Sequence, residues 1–411
     1  MLSVSEALQK ILSAFEPLGD EQVPLSGAAG RILSESVKSD IDLPLFTNSS
    51  MDGFAVRSAD VVSASQDSPV FLKVVEDIPA GISPKRILQK DQTSRIMTGA
   101  PLPAGADAVV PVEDTDQYDQ QMRSTYDLPE IIKIFRPVQP GDYVRQKGED
   151  VKQNAVVLET GSPLKPQELG ILAMLGKAVI SVYRKPRISI LSTGDELVPV
   201  DQPLQSGQIH DSNAYTLSAL IDRDYAVPEY LGIVPDNEHA VREYLLTAVQ
   251  NQADLILTSA GVSVGVFDYV RSVVESDGEL SFWRVNMRPG KPIAFGNFQG
   301  VPFIGLPGNP VSAFVGYEVF VRPALLKLSG VSAVQRDQVK ARLMEGIESD
   351  GRESYLRGIL KFQDHEWVAK LTGHQGSGNL FSLIQANALL IIPSGVKSLP
   401  AGSVIDAWLL G

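Results

Sequence analysis

The chain has 411 residues and a formal net charge of -13, from 36 Lys and Arg against 49 Asp and Glu. A surface of that charge repels a phosphate backbone, which excludes nucleic acid as the main partner. Cysteine is absent and only four histidines occur, which excludes disulfides, a thiolate nucleophile and Cys-ligated zinc and argues against a zinc hydrolase.

The first 20 residues predict a helix rather than a signal peptide. Residues 4–12 form an amphipathic stretch, and the helix should end near Pro17 and Gly19. No apolar run along the chain approaches the roughly 18 residues of a membrane span. We therefore expect a cytoplasmic protein with no membrane partner, built from about two to four domains.

From about residue 20 to residue 140 the chain is rich in Pro, Gly and short runs of β-branched residues. Three segments have the composition of strands between turns, at residues 70–76, 108–112 and 130–135. This part predicts an all-β or mixed-β domain. Residues 165–175 then have helical periodicity and stop at Gly176, a suitable helix C-cap.

Between residues 187 and 328 apolar strands alternate with helices. Four short apolar runs are typical of buried parallel strands, at residues 187–192, 228–234, 254–259 and 301–306. Each run ends in a polar loop, and helices are predicted at residues 238–250 and from Val311. The alternation predicts a doubly wound α/β domain. After Ser332 strand-like segments return, which predicts a small C-terminal β-domain of about 75 residues.

The loops after the four strands carry many small, hydroxylated and acidic residues. They are Thr193, Asp195, Glu196, Asp236, Ser259, Ser263, Asp268, Asn309 and Ser312. Asp and Ser also form turns and helix N-caps, which would explain any one of these loops. Because ligands collect beyond the carboxyl ends of parallel strands, four such loops together favour a binding crevice.

Two of these loops suit an anion. Residues 261–265 place two glycines and a hydroxyl directly after a strand, so that backbone N–H groups can approach an oxyanion. Asn309 and Pro310 suit the N-cap and first position of a helix, where free backbone donors meet Ser312. The loop at residues 261–265 is neither a P-loop nor a dinucleotide fingerprint.

Three cations stand close together in this acidic chain, at Arg284, Arg288 and Lys291. Such a run is also typical of a solvated surface face. Its place between the two anion-type loops favours capture of a phosphate or another oxyanion.

The β-rich part adds carboxylates beside glycines and hydroxyls, at Asp52, Thr98, Glu149 and Asp150. Carboxylates of this kind usually form turns and salt bridges. Next to a phosphate site they suggest Mg²⁺, which prefers a few carboxylates together with substrate oxygens.

Taken together, the motifs resemble those of the molybdopterin molybdenumtransferase family, which includes bacterial MoeA and the gephyrin E-domain. The similar segments are Asn-Ser-Ser-Met-Asp52-Gly-Phe-Ala-Val, Ile-Met-Thr98-Gly-Ala-Pro, Lys-Gly-Glu149-Asp150, Ser-Thr193-Gly-Asp195-Glu196-Leu, Gly-Val-Ser263-Val-Gly-Val-Phe-Asp268-Tyr, Arg288-Pro-Gly-Lys291-Pro, Leu-Pro-Gly-Asn309-Pro-Val-Ser312 and Thr-Gly-His374-Gln-Gly-Ser377-Gly. They extend from about residue 5 to residue 405. Two positions depart from the family pattern: Ala260 stands where a Gly is usual, and Arg288 stands where a Lys is frequent.

The resemblance implies a multidomain α/β plus β fold with four parts. They are a helical linker (residues 1–20 and 156–180), an elongated β-rich domain (21–155), a central doubly wound α/β molybdopterin-binding domain (181–331) and a C-terminal β-barrel (332–411). It also implies a homodimer whose active sites are shared between subunits. Its further partners are a molybdopterin adenylyltransferase and the enzymes that accept the finished cofactor.

The reaction that the resemblance implies is insertion of molybdate into adenylyl-molybdopterin, with release of AMP and a need for Mg²⁺. By motif, the catalytic residues are Asp268, Lys291, Asp52 and Asp150. The substrate-binding residues are Thr98, Thr193, Asp195, Glu196, Asp236, Ser263, Arg288, Pro292, Asn309, Ser312, Arg352 and Ser377. The Mg²⁺ ligands are Asp52, Asp236 and Asp268.

Two other functions stay open at this point. A molybdopterin adenylyltransferase shares the α/β domain but consumes ATP, and a gephyrin-like scaffold would not be catalytic. Retention of Asp268 and Lys291 argues against the scaffold. Molybdate and tungstate have nearly the same size and charge, so the sequence does not choose between them.

Overall fold

The computed structural model describes residues 1–118, 127–260 and 269–410. The chain divides into two compact units, one formed by Ser36–Glu159 and the other by Met1–Glu35 together with Thr160–Gly411. Within the described part, no helix combines the length and the apolar character that a bilayer crossing requires. The four-part domain boundaries proposed from the sequence stay predictions.

The N-terminal helix α1 (Val4–Ser13) is amphipathic, as predicted, but shorter than expected. Ser3 and Glu6 cap its N-terminus reciprocally, each side chain accepting a backbone N–H. The prediction of a helix that reaches Pro17 was wrong. The chain leaves the helix at Ala14, and this turn brings Phe15, only 2% exposed, into the core.

The strand β1 (Asp20–Pro24) follows, and the chain then enters the unit Ser36–Glu159. The strands of that unit are β2 (Val37–Lys38), β3 (Asn48–Ser49), β4 (Gly53–Val56), β5 (Val70–Ile78), β6 (Gln92–Ile96), β7 (Ala108–Pro111), β8 (Ile131–Ile134), β9 (Val144–Arg145) and β10 (Val156–Leu158). Five of them form one sheet in the order β7-β4-β6-β5-β8, in which β5 and β6 alone run parallel. The predicted strands of the β-rich part are thereby confirmed.

The chain returns to the first unit through helix α2 (Pro166–Met174) and strand β11 (Val179–Tyr183). Proline stands at the first position of α2, where its missing N–H costs no hydrogen bond. Gly176 follows with φ of +70°, which confirms the predicted glycine stop. β11 pairs antiparallel with β1, so the segments that precede and follow the unit Ser36–Glu159 meet in one two-stranded ribbon.

The central domain is an α/β sandwich. Its strands are β12 (Arg187–Thr193), β13 (Leu197–Val198), β14 (Ile209–His210), β15 (Val227–Val234), β16 (Leu255–Ser259), β17 (Gly278–Phe282), β18 (Met287–Arg288), β19 (Ala294–Phe298) and β20 (Val301–Leu306). Its helices are α3 (Ser212–Arg223), α4 (Glu238–Gln250), α5 (Tyr269–Asp277), α6 (Pro310–Gly316) and α7 (Arg322–Leu328), the last two joined by a π-helical turn at Tyr317–Val321.

Six strands form the sheet in the order β15-β12-β16-β20-β19-β17. The first four run parallel, and β19 and β17 add an antiparallel edge. Alternate residues face opposite layers: Ile190 packs with α1, α3, α6 and α7, whereas Leu191 packs with α4 and α5. The doubly wound prediction is confirmed. The strand order reverses between β12 and β16, which is where such sheets bind ligands.

The C-terminal domain is a closed five-stranded barrel, which confirms the predicted fold. Its elements are β21 (Gln338–Leu343), β22 (Ile347–Glu348), β23 (Glu353–Gln363), β24 (Glu366–Leu371), α8 (Phe381–Gln385), β25 (Ala388–Ile392), β26 (Ser398–Leu399) and β27 (Val404–Leu409). The circuit β23-β24-β21-β27-β25 closes because β25 also pairs with β23. β18 pairs with β23 as well, which ties Arg288 of the central domain to the barrel wall.

Candidate functional site

A cavity of about 400 Å³ opens at the edge of the sheet where the strand order reverses. We call it the sheet-edge cavity. It is lined by Thr193, Glu196, Leu197, Ile209, Asn213, Ser259, Ala260, Pro292, Pro307, Gly308, Asn309 and Pro310. Thr193 and Ser259 are the last residues of β12 and β16, so the predicted polar loops do meet at one edge.

Asn213 holds the floor of this cavity together. Its Nδ2 donates to Ser259 Oγ at 2.6 Å and to the Gly308 carbonyl at 2.8 Å, so it links the ends of two strands. The side chain is 8% exposed. The sequence reading did not single it out. The sequence does contain a helix-start signal next to it, at Asp211. The Asp211 side chain caps α3 by accepting a hydrogen bond from the Ala214 N–H.

Carboxylates gather beside the sheet-edge cavity. The backbone N–H of Asp236 donates to Asp195 Oδ1 at 3.2 Å, and Glu196 is close enough to interact with Asp236 electrostatically. Burial, and then repulsion by Asp195, raises the pKa of Asp236. A bound cation would offset the unfavourable burial and repulsion of the Asp236 carboxylate. In the residues that the structure describes, however, no group of three or more His, Cys, Asp and Glu has the geometry of a metal site.

The predicted helix start after β20 is confirmed in part. Asn309 occupies the N-cap position of α6 and Pro310 the first helical position. The Asn309 side chain makes no capping hydrogen bond to any described residue and is exposed at the cavity. It is therefore available to a ligand, because the helix does not use it.

A second cavity, of about 330 Å³, lies between the central domain and the barrel. We call it the cationic cavity. It is lined by Arg288, Pro289, Gly290, Lys291, Ser312, Arg352, Leu356, Arg357, Gln375, Gly376 and Ser377. The structure thus brings together five predicted site residues from separate segments of the chain: Arg288, Lys291, Ser312, Arg352 and Ser377. Arg357 and Gln375 were not predicted.

The charges of the cationic cavity are only partly balanced. Arg352 donates from Nε to Asp350 Oδ2 at 3.0 Å, and Arg288 lies 4.0 Å from the same oxygen. The bond from Arg352 holds the pKa of Asp350 below its usual range. Within the described ranges, no carboxylate lies within 4.0 Å of Lys291. Asp350 is therefore the carboxylate that faces Arg288 and Arg352, and Lys291 has no ion-pair partner there.

The two cavities are neighbours. Pro292 and Pro310 line the sheet-edge cavity. Lys291 and Ser312, one and two residues away in the sequence, line the cationic cavity. The Val311 N–H donates to the Ser377 carbonyl at 3.0 Å, which fixes the start of α6 against the barrel loop. A ligand held in one cavity therefore lies next to a ligand held in the other.

Larger openings of about 530 and 650 Å³ lie at the opposite end of the sheet, around Arg187 and Val227. These residues begin β12 and β15. We place the functional site at the other end despite the smaller volumes, because ligands of open parallel sheets bind beyond the carboxyl ends of the strands.

In the unit Ser36–Glu159, Asp52 accepts two hydrogen bonds from Thr98, from its backbone N–H and its Oγ1, both at 2.7 Å. Asp150 forms an exposed ion pair with Arg145. These contacts give each predicted carboxylate a local structural partner, and their catalytic roles stay predictions. Ser263 and Asp268 lie outside the described residues, and the roles predicted for them stay predictions.

Comparison with known proteins covers the whole chain. Three family models match: the MoeA N-terminal region (domain I and II) at residues 2–176, a probable molybdopterin binding domain at 189–327, and the MoeA C-terminal region (domain IV) at 340–410. A molybdopterin molybdenumtransferase of Nostoc sp. is 40% identical over 98% of this chain and 92% of the relative. The protein of that name from Haemophilus influenzae is 36% identical over 98% of both chains.

The solved structures agree with the sequence matches. The molybdopterin biosynthesis moeA protein of Pyrococcus horikoshii OT3 superposes with a TM-score of 0.81 at 30% identity and covers 100% of both chains. Another crystal structure of a molybdopterin biosynthesis moeA protein from Pyrococcus horikoshii gives a TM-score of 0.79 at 32% identity over 100% of this chain and 99% of the other. The chain therefore belongs to the MoeA family of molybdopterin molybdenumtransferases.

Proposed function

We propose that this chain inserts molybdate into adenylyl-molybdopterin, releasing AMP and forming the molybdenum cofactor. One observation carries the proposal: a cavity lined by cations adjoins a cavity at the switch point of the sheet, and they meet at Lys291 and Pro292. This arrangement suits a reaction between a small oxyanion and a larger phosphorylated ligand. The relatives that match the full chain are named molybdenumtransferases, which favours this reaction over the adenylyltransferase alternative.

The cationic cavity is the proposed molybdate site. Lys291 and Arg288 supply positive charge, and Ser312, a residue that is 4% exposed, supplies a hydroxyl. Donors fixed in a water-poor wall stabilise an anion more strongly than mobile donors in water. Arg352 is held in place by Asp350 and by the Met287 carbonyl, to which its Nη1 donates at 3.1 Å. The cavity therefore presents positioned donors to a tetrahedral dianion.

The sheet-edge cavity is the proposed site of the adenylylated pterin. Thr193, Ser259 and Asn309 place two hydroxyls and an amide around it, and Asn213 fixes the strand ends beneath. Two ligands bound in neighbouring cavities react as if at very high local concentration, which lowers the entropic part of the activation barrier. No covalent enzyme intermediate is required. Asp268 and Ser263 stay candidate residues for this step by resemblance.

Mg²⁺ would be held beside the sheet-edge cavity by two carboxylates together with oxygens of the bound ligand, since the described residues contain no group of three or more His, Cys, Asp and Glu that could hold it alone. Asp236 is the predicted ligand there, and Asp195 adjoins it closely enough to raise its pKa. A bound cation relieves that repulsion, and Mg²⁺ accepts a few carboxylates together with phosphate oxygens. When bound, it would neutralise charge on the phosphates of the ligand. Asp52 and Asp268 remain predicted ligands in addition.

The homodimer also belongs to the proposal. The family resemblance assigns Asp52, Thr98 and Asp150 of a second subunit to the same active site. We further propose a cytoplasmic location and contact with a molybdopterin adenylyltransferase and with cofactor-accepting enzymes. Sedimentation of the purified chain tests the dimer directly: a monomer at micromolar concentration contradicts it.

The reaction is tested by incubating the purified chain with adenylyl-molybdopterin, molybdate and Mg²⁺ and measuring AMP. Release should depend on both added ions. Lys291→Met removes one charge-assisted interaction and should weaken molybdate binding about 10- to 150-fold. Lys340→Met is the matched control, because Lys340 is an exposed barrel lysine paired with Asp406. Absence of AMP release from competent protein contradicts the proposal, as does equal activity of the Lys291 variant and wild type.

A further inference from the structure

Asp211 is a buried carboxylate, 3% exposed. Within the described ranges, no Lys, Arg or His nitrogen lies within 4.0 Å of its oxygens. Aspartate is almost never buried in this way unless its charge is compensated. Here the N-terminus of α3 and two hydrogen bonds supply the compensation. The Ala214 N–H donates to Asp211 Oδ1 at 3.1 Å, and the Tyr230 hydroxyl donates to Oδ2 at 2.8 Å.

Asp211 stands between two parts of the sheet-edge cavity. Ile209, two residues before it, pairs with Leu197, and both of these residues line the cavity. Asn213, two residues after it, lies in the first turn of α3 and ties the end of β16 to the loop after β20. The orientation of the Asp211 side chain therefore influences the wall and the floor of the cavity together.

Tyr230 holds this carboxylate from the edge of the central sheet. It lies on β15, the edge strand next to β12, and is 43% exposed. Burial, and then the hydrogen bond with Asp211, raises the pKa of Tyr230, so the phenol keeps its proton at neutral pH and goes on donating it. Without this hydroxyl, the Ala214 N–H would be the one described hydrogen-bond partner left to the Asp211 side chain, and the carboxylate could rotate away from the helix start.

We propose that Tyr230 is a positioning residue for the adenylylated pterin: by holding Asp211 it fixes the first turn of α3, and with it Asn213 at the floor of the sheet-edge cavity. This inference rests on the proposed function, which assigns that cavity to the pterin ligand. Tyr230 is not among the described residues that line the cavity, so it acts through its neighbours. A hydrogen bond that served stability alone would change the free energy of unfolding and leave the affinity for the ligand as it was.

Tyr230→Phe removes the hydroxyl and keeps the ring. Loss of a hydrogen bond to a charged acceptor corresponds to a factor of about 10 to 150. Because Tyr230 acts through Asp211, we expect the lower end of this range, a rise of about 10-fold in the KM and Kd for adenylyl-molybdopterin. The kcat and the KM for molybdate should stay close to those of wild type, since the cationic cavity does not depend on α3.

The matched control is Tyr215→Phe. Tyr215 lies close to Tyr230, is 60% exposed, and its hydroxyl has no hydrogen-bond partner among the described residues. This variant should bind adenylyl-molybdopterin as wild type does. Thermal unfolding of both variants shows whether either substitution acts through a general loss of stability.

A double-mutant cycle with Asn213→Ala tests the route. If Tyr230 acts through Asn213, its hydroxyl has nothing left to position once the Asn213 side chain is gone. The double variant should then bind adenylyl-molybdopterin no more weakly than Asn213→Ala alone. Binding is measured by calorimetry on the full chain with Mg²⁺, and KM and kcat from the release of AMP.

Three results would overturn the inference and leave the proposed function standing. The first is a Tyr230→Phe variant that binds adenylyl-molybdopterin as tightly as wild type. The second is an equal loss of affinity in the Tyr215 variant. The third is a double variant that is weaker than Asn213→Ala by the full factor of the Tyr230 substitution, which shows that Tyr230 acts by another route. Wild-type chain that does not bind adenylyl-molybdopterin overturns both this inference and the proposed function.

Discussion

Glu318 lies at the centre of a buried ionic cluster that joins the π-helical turn between α6 and α7 to α3 and to the segment before the barrel. Its side chain is 0% exposed and accepts hydrogen bonds from Arg223, at 3.0 Å, and from Arg336. Arg336 stands in the segment that leads from α7 to β21. We expect Glu318→Leu to be among the most destabilising single substitutions in the chain, because it strands a buried cation.

The magnitude follows from what each arginine retains. Arg223 keeps the carboxylate of Asp224, to which its Nη2 donates at 2.7 Å. Arg336 keeps no other carboxylate within 4.0 Å in the described ranges, and its Nε already lacks a hydrogen-bond partner there. Breaking a buried pair from one side costs about 3–5 kcal/mol in free energy of unfolding. At about 2–4 °C per kcal/mol, that corresponds to a fall in Tm of roughly 6–20 °C.

The assay is urea unfolding of four proteins: wild type, Glu318→Leu, Arg336→Leu and the double variant. Since the double variant contains no stranded charge at this pair, it should recover most of the loss seen in Glu318→Leu. Asp406→Leu is the control, because its partner Lys340 is exposed and the pair contributes about 0–1 kcal/mol. A Glu318→Leu variant within 1 kcal/mol of wild type, or a double variant that is no more stable than it, would refute the reasoning.

Three further outcomes are expected. Without divalent cations, Asp236→Asn should be more stable than wild type at pH 7 and equal to it below about pH 4. Folding raises the pKa of Asp236, so the folded wild type loses stability as the pH rises through that pKa. Measuring the Tm of both proteins as a function of pH checks this. Gly53→Ala should destabilise the β-rich unit, since the new Cβ would lie 2.1 Å from the Val110 carbonyl oxygen, and limited proteolysis of that unit reports the change. Asn213→Ala should weaken binding of adenylyl-molybdopterin and leave molybdate binding unchanged, as separate calorimetric titrations would show.

The central sheet could be predicted because buried parallel strands have a distinctive composition. Residues 254–259 and 301–306 read as short apolar runs that stop at polar loops, and they form β16 and β20. The polar ends of those strands then had to share an edge. This is why Thr193, Ser259 and Asn309 could be assigned to one crevice from the sequence alone.

The cationic cavity could not be derived from spacing. Its walls depend on the parallel pairing of Met287–Arg288 with β23, which joins segments far apart in the sequence and leaves no periodic trace. Arg352 and Ser377 were assigned by family resemblance instead. Arg357 was missed because an arginine within a strand reads as an outward-facing residue, and the sequence contains no sign that Ser382 and Gly376 hold it inside.

The division of charge in the site is a physical reason for having two cavities rather than one. A chain with a net charge of -13 repels anions over most of its surface, so an oxyanion must be attracted locally. Had Asp195 and Asp236 lain among Arg288 and Lys291, the carboxylates and the cations would have formed ion pairs with each other. Neither the oxyanion nor the metal ion would then have met an unbalanced charge. The short segment from Lys291 to Pro292 keeps the two sets apart while their cavities stay adjacent. Under the proposed function, each set of charges is balanced only when its own ligand binds, and the free energy gained in that way helps to hold the two ligands side by side.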